Sequence, residues 1–255
     1  MTGDENMREK ERVRQLKQQL RDELRQELDG YRQVEVNAAG RPVSDVKIVE
    51  PEAGNSLVLT IDADLQRALE TAMDETIASL QSQSRSDKAG AGAGVLLNVK
   101  TGEVLAMASR PDDNIGQQNR AIQGRYIPGS TFKPVSTYAP ALDSAGKTLA
   151  STQYDAPYNY DSGKGRAVRN WNGENYQGWS SIRQGIAQSM NIVAVKTLTD
   201  ITPALGITYL ENMGITTLQT ETTADGLNDY TQTMALGGLT RGVTNLELTG
   251  AYATI

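Results

Sequence analysis

The chain has 255 residues, of which 38% are hydrophobic and 22% are charged, and its net charge is −6. This length supports one large domain or two small ones, and the acidic balance, without a basic patch interleaved with aromatic residues, disfavours a nucleic-acid partner. The chain contains no histidine and no cysteine. Histidine triads, thiol nucleophiles, zinc sites of Cys and His, and disulfides are therefore excluded, and acid–base chemistry falls to Lys, Asp, Glu or Tyr.

The N-terminal region is predicted to be a charged helix over residues 7–29, ended by Gly30. Its apolar residues recur at spacings of three and four on one narrow stripe: Val13, Leu16, Leu20, Leu24 and Leu28. We expect residues 1–30 to form a helical arm, which could be a coiled-coil or docking element or could lie on its own domain. Residues 31–56 read as a polar linker with short strand-like pieces, a remnant of an N-terminal region. No apolar run is long enough for a membrane anchor, and the N-terminus lacks a signal-peptide core.

Residues 57–61 are predicted to form a strand. Asp62 is placed to cap the helix that follows, whose one apolar face carries Leu65, Leu69 and Met73. Residues 81–94 are rich in Ser, Gly and Ala, and the alternating glycines at positions 90, 92 and 94 lack the spacing of a dinucleotide-binding motif. We interpret this stretch as a linker.

Two apolar runs, Val95–Val99 and Glu103–Ala108, predict a β-hairpin around Lys100-Thr101-Gly102. Residues 150–180 are rich in Tyr, Asn and Gly and are expected to be irregular. Helices are predicted to begin at Ser130 and near Ser180 or Ser181. The later apolar segments are expected to be helical or short and mixed: Ala204–Met213, Met234–Leu236 and Leu246–Ile255. The last of these is interpreted as a helix cut off in mid-pattern.

Ser130 and Lys133 are the strongest candidates for catalysis. They follow the turn-forming Pro128-Gly129 pair, so Ser130 is predicted at a helix start, where backbone N–H groups are unpaired. Three residues are nearly one helical turn, so the hydroxyl and the amine share a face. A hydroxyl beside an amine base is one of the few ways to build a serine nucleophile without histidine.

The bare Ser-x-x-Lys pattern has low specificity, because it also occurs at Ser44–Lys47 and Ser144–Lys147. Ser44 lies in a polar stretch without a helical pattern, and Gly146 weakens a helix within the third occurrence. Only Ser130 has both a turn before it and an apolar continuation after it.

Ser189-Met190-Asn191 is the second candidate element. A Ser-x-Asn triplet alone has low specificity, and both polar side chains could simply satisfy backbone groups at a helix end.

In this order, Pro-Gly-Ser-Thr-Phe-Lys-Pro at 128–134 and Ser-Met-Asn at 189–191 resemble the transpeptidase domain of penicillin-binding proteins. Further segments support the resemblance, which covers residues 57–255: residues 59–66, 119–122, 181–188 and 235–244. The resemblance implies an α/β fold of the β-lactamase/transpeptidase-like type, with an antiparallel sheet flanked by helices on both sides. The part after residue 150 resembles bifunctional class A enzymes, whereas 31–66 and 119–133 are closer to monofunctional class B enzymes.

The family also has a third motif, Lys-Thr-Gly or Lys-Ser-Gly, that follows Ser-x-Asn in the chain. The triplet Lys100-Thr101-Gly102 precedes Ser130, so we assign it to a hairpin turn. The resemblance then implies that the third motif and the C-terminal strands lie beyond Ile255. We therefore expect a domain over residues 57–255 with one open sheet edge, impaired activity, and aggregation or dimer formation unless the N-terminal helix covers that edge.

By resemblance, Ser130 attacks a stem peptide ending in D-Ala-D-Ala and forms an acyl-enzyme, with Lys133 as its base. Ser189 would transfer the proton to the leaving amine, and Asn191 would bind the substrate backbone. No cofactor or metal is implied. The implied partners are peptidoglycan stem peptides, β-lactams as inhibitors and possible cell-wall synthesis proteins, at the extracytoplasmic face of the bacterial cell membrane.

Two alternatives stay open. One is a relative that binds β-lactams without building cell wall, as a sensor or as a β-lactamase-like hydrolase, since β-lactamases share the serine–lysine arrangement. The other is a non-catalytic interaction module that docks through its N-terminal helix.

Overall fold

The structure, a computed structural model, describes residues 31–33, 35, 37–49, 58–83, 90–110, 118–161 and 165–255. The helix predicted over residues 7–29 lies outside the described residues. The chain divides into two compact units, Met1–Leu59 and Thr60–Ile255, which are described separately.

The first unit contains a small antiparallel hairpin of strands β1 (Tyr31–Gln33) and β2 (Lys47–Val49). In the connecting loop, Asn37 Oδ1 accepts hydrogen bonds from two backbone N–H groups, each 3.0 Å away, as Asn does in tight turns. Ser44 Oγ accepts the Glu35 N–H at 3.0 Å. Strand-like pieces in this region are confirmed, and Ser44 of the second Ser-x-x-Lys pattern contacts the backbone of its own loop.

The second unit begins with helix α1 (Ala63–Gln83), which packs on the antiparallel hairpin of β3 (Gly92–Leu97) and β4 (Val104–Arg110). Asp62 Oδ1 accepts two N–H groups of the first helical turn at 2.9 Å, so the predicted cap is confirmed. The turn of the hairpin contains Gly102, whose φ of +77° suits glycine. Lys100-Thr101-Gly102 is thus a turn, as predicted.

The interpretation of residues 81–94 as a linker was wrong at both ends, because α1 extends to Gln83 and β3 begins at Gly92. Two of the glycines allow close packing of α1 on β3. A Cβ on Gly94 would lie 2.9 Å from Leu69 Cδ1, and one on Gly92 would lie 3.2 Å from Met73 Cε. Their lack of a side chain therefore serves helix–sheet contact.

The strand predicted over 57–61 was also wrong, since Val58–Ile61 has no regular secondary structure. Thr60 donates its hydroxyl to Val104 O at 2.6 Å, and the Asp62 N–H donates to Leu105 O at 2.9 Å. One of these two hydrogen bonds comes from a side chain, so the segment contacts β4 without forming the regular backbone hydrogen bonds of a sheet.

The helix predicted from Ser130 is present but irregular. After α2 (Arg120–Gln123), the chain forms a 3₁₀ turn at Gly129–Phe132, a π-helical turn at Pro134–Tyr138 and then α3 (Ala139–Asp143). Proline has no N–H, so Pro134 and Pro140 cannot complete regular i to i−4 bonds, and the intervening turns tighten or widen instead. This segment nonetheless buries one face in the core through Phe132, Val135, Tyr138 and Ala141.

Short strands and helices complete the unit. The strands are β5 (Thr152–Asp155), β6 (Tyr158–Asn159), β7 (Ala167–Val168) and β8 (Gly178–Ser181), paired antiparallel as β5 with β8 and β6 with β7. The helices are α4 (Ile182–Ala187), α5 (Asn191–Ile201), α6 (Pro203–Asn212) and α7 (Asn245–Tyr252), with a 3₁₀ turn at Gln232–Leu236 before α7.

Helix α5 is the centre of the core, and its fully buried apolar side chains are Ile192, Val193, Ala194, Val195 and Leu198. The predicted start of α4 is confirmed, since Ser181 and Gln184 form a capping box. The helix predicted over Leu246–Ile255 is present as α7, which ends at Tyr252. Within the described part of the chain, no helix has the length and apolar character of a membrane-crossing segment. The fold is α/β, with antiparallel sheets and packed helices.

Candidate functional site

Lys133 lies at the centre of a compact polar cluster. Its side chain is only 2% exposed, and Nζ donates to Ser189 O at 2.7 Å, to Ser189 Oγ at 3.0 Å and to Asn191 Oδ1 at 2.6 Å. An ammonium group has three protons, and it meets three acceptors here. The fold therefore brings together three of the four predicted site residues across a separation of more than fifty positions.

A break between two helices shapes the Ser189 side of this cluster. Helix α4 ends at Ala187 and α5 begins at Asn191, and Ser189 between them has a φ of +50°. A left-handed conformation costs a non-glycine residue about 1–2 kcal/mol, so the surroundings must stabilise it. Because of this bend, the carbonyl and the hydroxyl of Ser189 both reach Lys133 Nζ.

The Asn191 side chain directs its carbonyl oxygen towards Lys133 because its amide nitrogen donates a hydrogen bond elsewhere. Nδ2 donates to Arg169 O at 2.7 Å, while Oδ1 accepts from Nζ. The two ends of an Asn amide differ only in donating or accepting, so these partners assign its orientation.

Behind Asn191 lies a second pair of polar residues that sequence reasoning missed. Asn170 Oδ1 accepts the N–H groups of Asn191 at 2.9 Å and Ile192 at 3.2 Å. Its Nδ2 donates to Asp155 Oδ1 at 2.8 Å, and Asp155 Oδ2 accepts the Gln177 N–H at 2.9 Å. The Asn-rich composition of 150–180 was the only signal, and it does not distinguish Asn170 from its neighbours.

Ser130 occupies the 3₁₀ turn that leads into Lys133, and its side chain is exposed. Its carbonyl oxygen accepts the Lys133 N–H. Its hydroxyl makes no hydrogen bond of 3.5 Å or less with Lys133 Nζ, both groups being within the described chain. The nucleophile candidate is thus open to a ligand, while the amine candidate is enclosed.

Glycines let another loop approach the segment before Ser130. A Cβ on Gly237 would lie 2.5 Å from the N and O atoms of Gly129, and one on Gly242 would lie 2.4 Å from Tyr126 O. The backbones of Tyr126 and Val243 also pair, with N–O distances of 2.9 and 3.0 Å. Both glycines have positive φ, so any other residue there would be strained as well as crowded.

Burial changes the acidity of Lys133. It lowers the pKa of the ammonium group to about 8, because a charged group is less favourable away from water. At pH 7 roughly one molecule in ten then carries a neutral amine, against fewer than one in a thousand for an ordinary lysine. A neutral amine has a lone pair, which can accept a proton from a hydroxyl group.

An open cavity of about 410 Å³ lies next to Arg169, the residue whose carbonyl holds Asn191. Its lining consists of Tyr160, Arg166, Ala167, Val168, Arg169 and Leu236. Among the described residues, no group of three or more acidic side chains is arranged to hold a metal ion.

The other Ser-x-x-Lys pattern in the second unit has no such geometry. Lys147 Nζ pairs with Asp200 Oδ2 at 2.6 Å, and Ser144 Oγ contacts the carbonyl of Pro140 at 3.4 Å. Lys147 is thus neutralised by a carboxylate, whereas Lys133 contacts only uncharged acceptors.

Comparison with known proteins identifies the family. A sequence model described as "Penicillin binding protein transpeptidase domain" matches residues 92–255. The chain therefore belongs to the penicillin-binding protein transpeptidase family.

Two similar curated proteins and one solved structure can be compared with this chain. Penicillin-binding protein 1A/1B of Bacillus subtilis (strain 168) is 27% identical over 84% of this chain and 22% of its own length. Peptidoglycan D,D-transpeptidase MrdA of Escherichia coli (strain K12) is 30% identical over 63% of this chain and 26% of its own. The solved penicillin-binding protein A from M. tuberculosis, an imipenem acyl-enzyme complex, shares the fold with a TM-score of 0.64 and 22% identity, covering 81% of this chain and 53% of that one. The chain spans about a quarter of the length of these curated relatives.

Proposed function

We propose that residues 57–255 form a serine-type D,D-transpeptidase domain that crosslinks peptidoglycan stem peptides ending in D-Ala-D-Ala. Ser130 is the nucleophile, Lys133 its base, Ser189 the proton carrier and Asn191 a substrate-binding residue. The observation that carries the proposal is the buried Lys133, which has a pKa of about 8 and contacts Ser189 and Asn191, three residues after an exposed serine.

The acylation step follows from these groups. When Lys133 is neutral, its lone pair accepts the Ser130 hydroxyl proton as Oγ bonds to the carbonyl carbon of the penultimate D-Ala. The C–N bond then breaks and the terminal D-Ala leaves as an amine, which takes a proton from the Ser189 hydroxyl. Ser189 regains a proton from the Lys133 ammonium, 3.0 Å away, so the proton balance closes.

The acyl-enzyme is released when the amine of a second stem peptide attacks the ester and restores the Ser130 hydroxyl. The reaction exchanges one amide for another and needs no cofactor. The partners are stem peptides, with β-lactams as inhibitors that acylate the same serine, and other cell-wall synthesis proteins at the extracytoplasmic face of the bacterial cell membrane. The helical arm at residues 1–30 and the linker at 31–56 complete the proposed organisation.

The test is the intact mass of the protein after incubation with benzylpenicillin. We expect one adduct per chain, which Ser130→Ala abolishes. Ser144→Ala is the matched control, because it changes a serine in another Ser-x-x-Lys pattern, and we expect it to keep the adduct. A cooperatively folded chain without an adduct would overturn the proposed activity of this chain, and an adduct that persists in Ser130→Ala would overturn the assignment of Ser130.

The lifetime of the adduct distinguishes a transpeptidase from a β-lactamase-like hydrolase. A transpeptidase releases a penicilloyl group slowly, so the adduct should persist after removal of free drug. Steady penicillin hydrolysis without accumulation of the adduct would favour the hydrolase.

A further inference from the structure

Two buried polar side chains lie behind the Lys133 cluster and have no role in the reaction proposed above. Asp155 is 1% exposed and Asn170 is 7% exposed. Burying a carboxyl and an amide is unfavourable unless their hydrogen bonds are made, so a buried pair of this kind requires an explanation.

Asn170 supplies a cap that the sequence next to helix α5 lacks. The cap position of α5 is Met190, whose side chain accepts no hydrogen bond from the helix. The first helical N–H groups are orphan donors, normally satisfied by a nearby Ser, Thr, Asp or Asn. Asn170 satisfies two of them, those of Asn191 and Ile192, from a position about twenty residues earlier in the chain.

Asp155 determines the orientation of the Asn170 side-chain amide group. Its Oδ1 accepts from Asn170 Nδ2, and its Oδ2 is occupied by the Gln177 N–H. Since Asp155 offers only acceptors there, Asn170 must direct its NH₂ group towards Asp155 and its oxygen towards α5. A flipped amide would place donors against donors at the start of the helix.

Two consecutive residues, Arg169 and Asn170, therefore hold both the backbone and the side chain of Asn191. Asn170 binds its backbone N–H, and the carbonyl of the adjacent Arg169 binds its side-chain Nδ2. With both donors held by consecutive residues of one segment, the remaining Oδ1 faces Lys133 Nζ at 2.6 Å.

We propose that Asp155 and Asn170 are a positioning pair for the acyl-transfer site, setting the orientation of Asn191 and through it the placement of Lys133. The inference rests on the proposed function for its catalytic consequence, whereas the placement of Asn191 can be measured independently. The pair touches neither the substrate nor the reacting atoms.

Exchanging the two residues tests this proposal. In Asn170→Asp, two carboxyl groups face each other at a contact of 2.8 Å, and in Asp155→Asn, one of the donors from Asn170 and Gln177 loses its acceptor. The double variant carries both substitutions, so the amide now stands at position 155 and the carboxylate at position 170. That amide can accept from the Gln177 N–H and donate to the carboxylate, which in turn accepts the N–H groups of α5. Size and total charge are unchanged, and every hydrogen bond can form again.

We expect each single variant to slow acylation by benzylpenicillin about 10- to 100-fold, the effect of misplacing a catalytic group by about 1 Å. The double variant should recover at least tenfold over the slower single variant. Val195→Ala, which truncates a fully buried side chain of the same helix, is the control for lost stability. At a matched decrease in melting temperature, it should acylate at the wild-type rate per folded molecule.

NMR provides a readout that does not require acylation. The backbone N–H groups of Asn191 and Ile192 and the Asn191 side-chain NH₂ should lose hydrogen-exchange protection in both single variants and regain it in the double variant. Loss and recovery of protection without acylation of the wild type would reject the proposed function and retain the positioning. Single variants with wild-type protection and rate, a double variant no better than the worse single, or equal slowing in Val195→Ala would overturn the positioning pair.

Discussion

Lys133 and Glu247 are two ionisable groups in the same unit, and the fold destabilises the charged form of Lys133 but stabilises that of Glu247. Burial raises the pKa of Glu247, but hydrogen bonds from Thr244, Thr217 and Thr216 outweigh it, so its pKa lies below the ordinary value. For Lys133, burial prevails and lowers the pKa to about 8. One charge is stabilised and the other is destabilised.

The partners explain the difference. Glu247 accepts five hydrogen bonds of 2.8–3.0 Å, two of them from the backbone N–H groups of Thr216 and of Thr244, the cap of its own helix. Lys133 has three acceptors, none of them a carboxylate, within the described chain. Glu247 is surrounded by enough hydrogen-bond donors to keep its charge, whereas Lys133 is buried without a carboxylate partner to compensate its charge.

The largest decrease in acylation rate is expected from Lys133→Met, which removes the proposed base and keeps a linear side chain of similar length. General-base catalysis contributes about 10²- to 10⁴-fold, so acylation by benzylpenicillin should fall by that factor. The measurement is the adduct fraction against time by intact mass. Lys147→Met is the matched control, because its ammonium is paired with Asp200 at 2.6 Å, and a loss within tenfold for Lys133→Met would refute the base assignment.

The second prediction concerns the free energy of unfolding at alkaline pH. The folded pKa of Lys133, about 8, lies below its ordinary value of 10.5, so the unfolded chain binds more protons between these pH values and folding stability rises with pH across that window. A shift of this size corresponds to roughly 3 kcal/mol. Urea unfolding at pH 7.5 and 10 should show this rise in wild type relative to Lys133→Met. Identical pH dependence in the two proteins would exclude a depressed pKa.

The contrasting variant is Glu247→Ala, which removes the acceptor of the buried Thr244 N–H and hydroxyl groups and of the exposed Thr216. We expect a decrease of about 1–3 kcal/mol in the free energy of unfolding, with acylation per folded molecule unchanged. In wild type, the contribution of Glu247 is present above its ordinary pKa and is lost as the pH falls through its lower folded value. Glu211→Ala, an exposed position on α6, serves as the control and should leave the midpoint of urea unfolding in place.

The smallest change in stability is expected at the surface pair of the partly buried Arg110 and the exposed Asp74, although the paired atoms lie 2.5 and 2.9 Å apart. The Arg110 guanidinium holds the pKa of Asp74 below its usual range through a hydrogen bond. Solvent screens such pairs, so Asp74→Asn should not move the melting temperature measurably. A shift as large as that of Glu247→Ala would mean that contact geometry, rather than burial, governs these charges.

Several elements could be predicted because their determinants lie close together in the chain. The Asp62 cap, the hairpin turn at Lys100-Thr101-Gly102 and the Ser181 cap each depend on residues within four positions. The irregular turns after Ser130 were not predicted. Pro134 and Pro140 cause them, but the two prolines act on successive turns, and their combined effect on the backbone is not evident from the sequence.

The sequence by itself determined the family, through the order and spacing of Pro-Gly-Ser-Thr-Phe-Lys-Pro and Ser-Met-Asn, and it predicted Ser130, Lys133, Ser189 and Asn191 as one site. Only the tertiary structure decided that Lys133 is buried against Ser189 and Asn191, and that Asn170 and Asp155 stand behind them. It also decided that Gly92 and Gly94 serve packing. The physical reason is that motifs record which groups are present, whereas desolvation, amide orientation and close backbone approach depend on partners brought from distant parts of the chain.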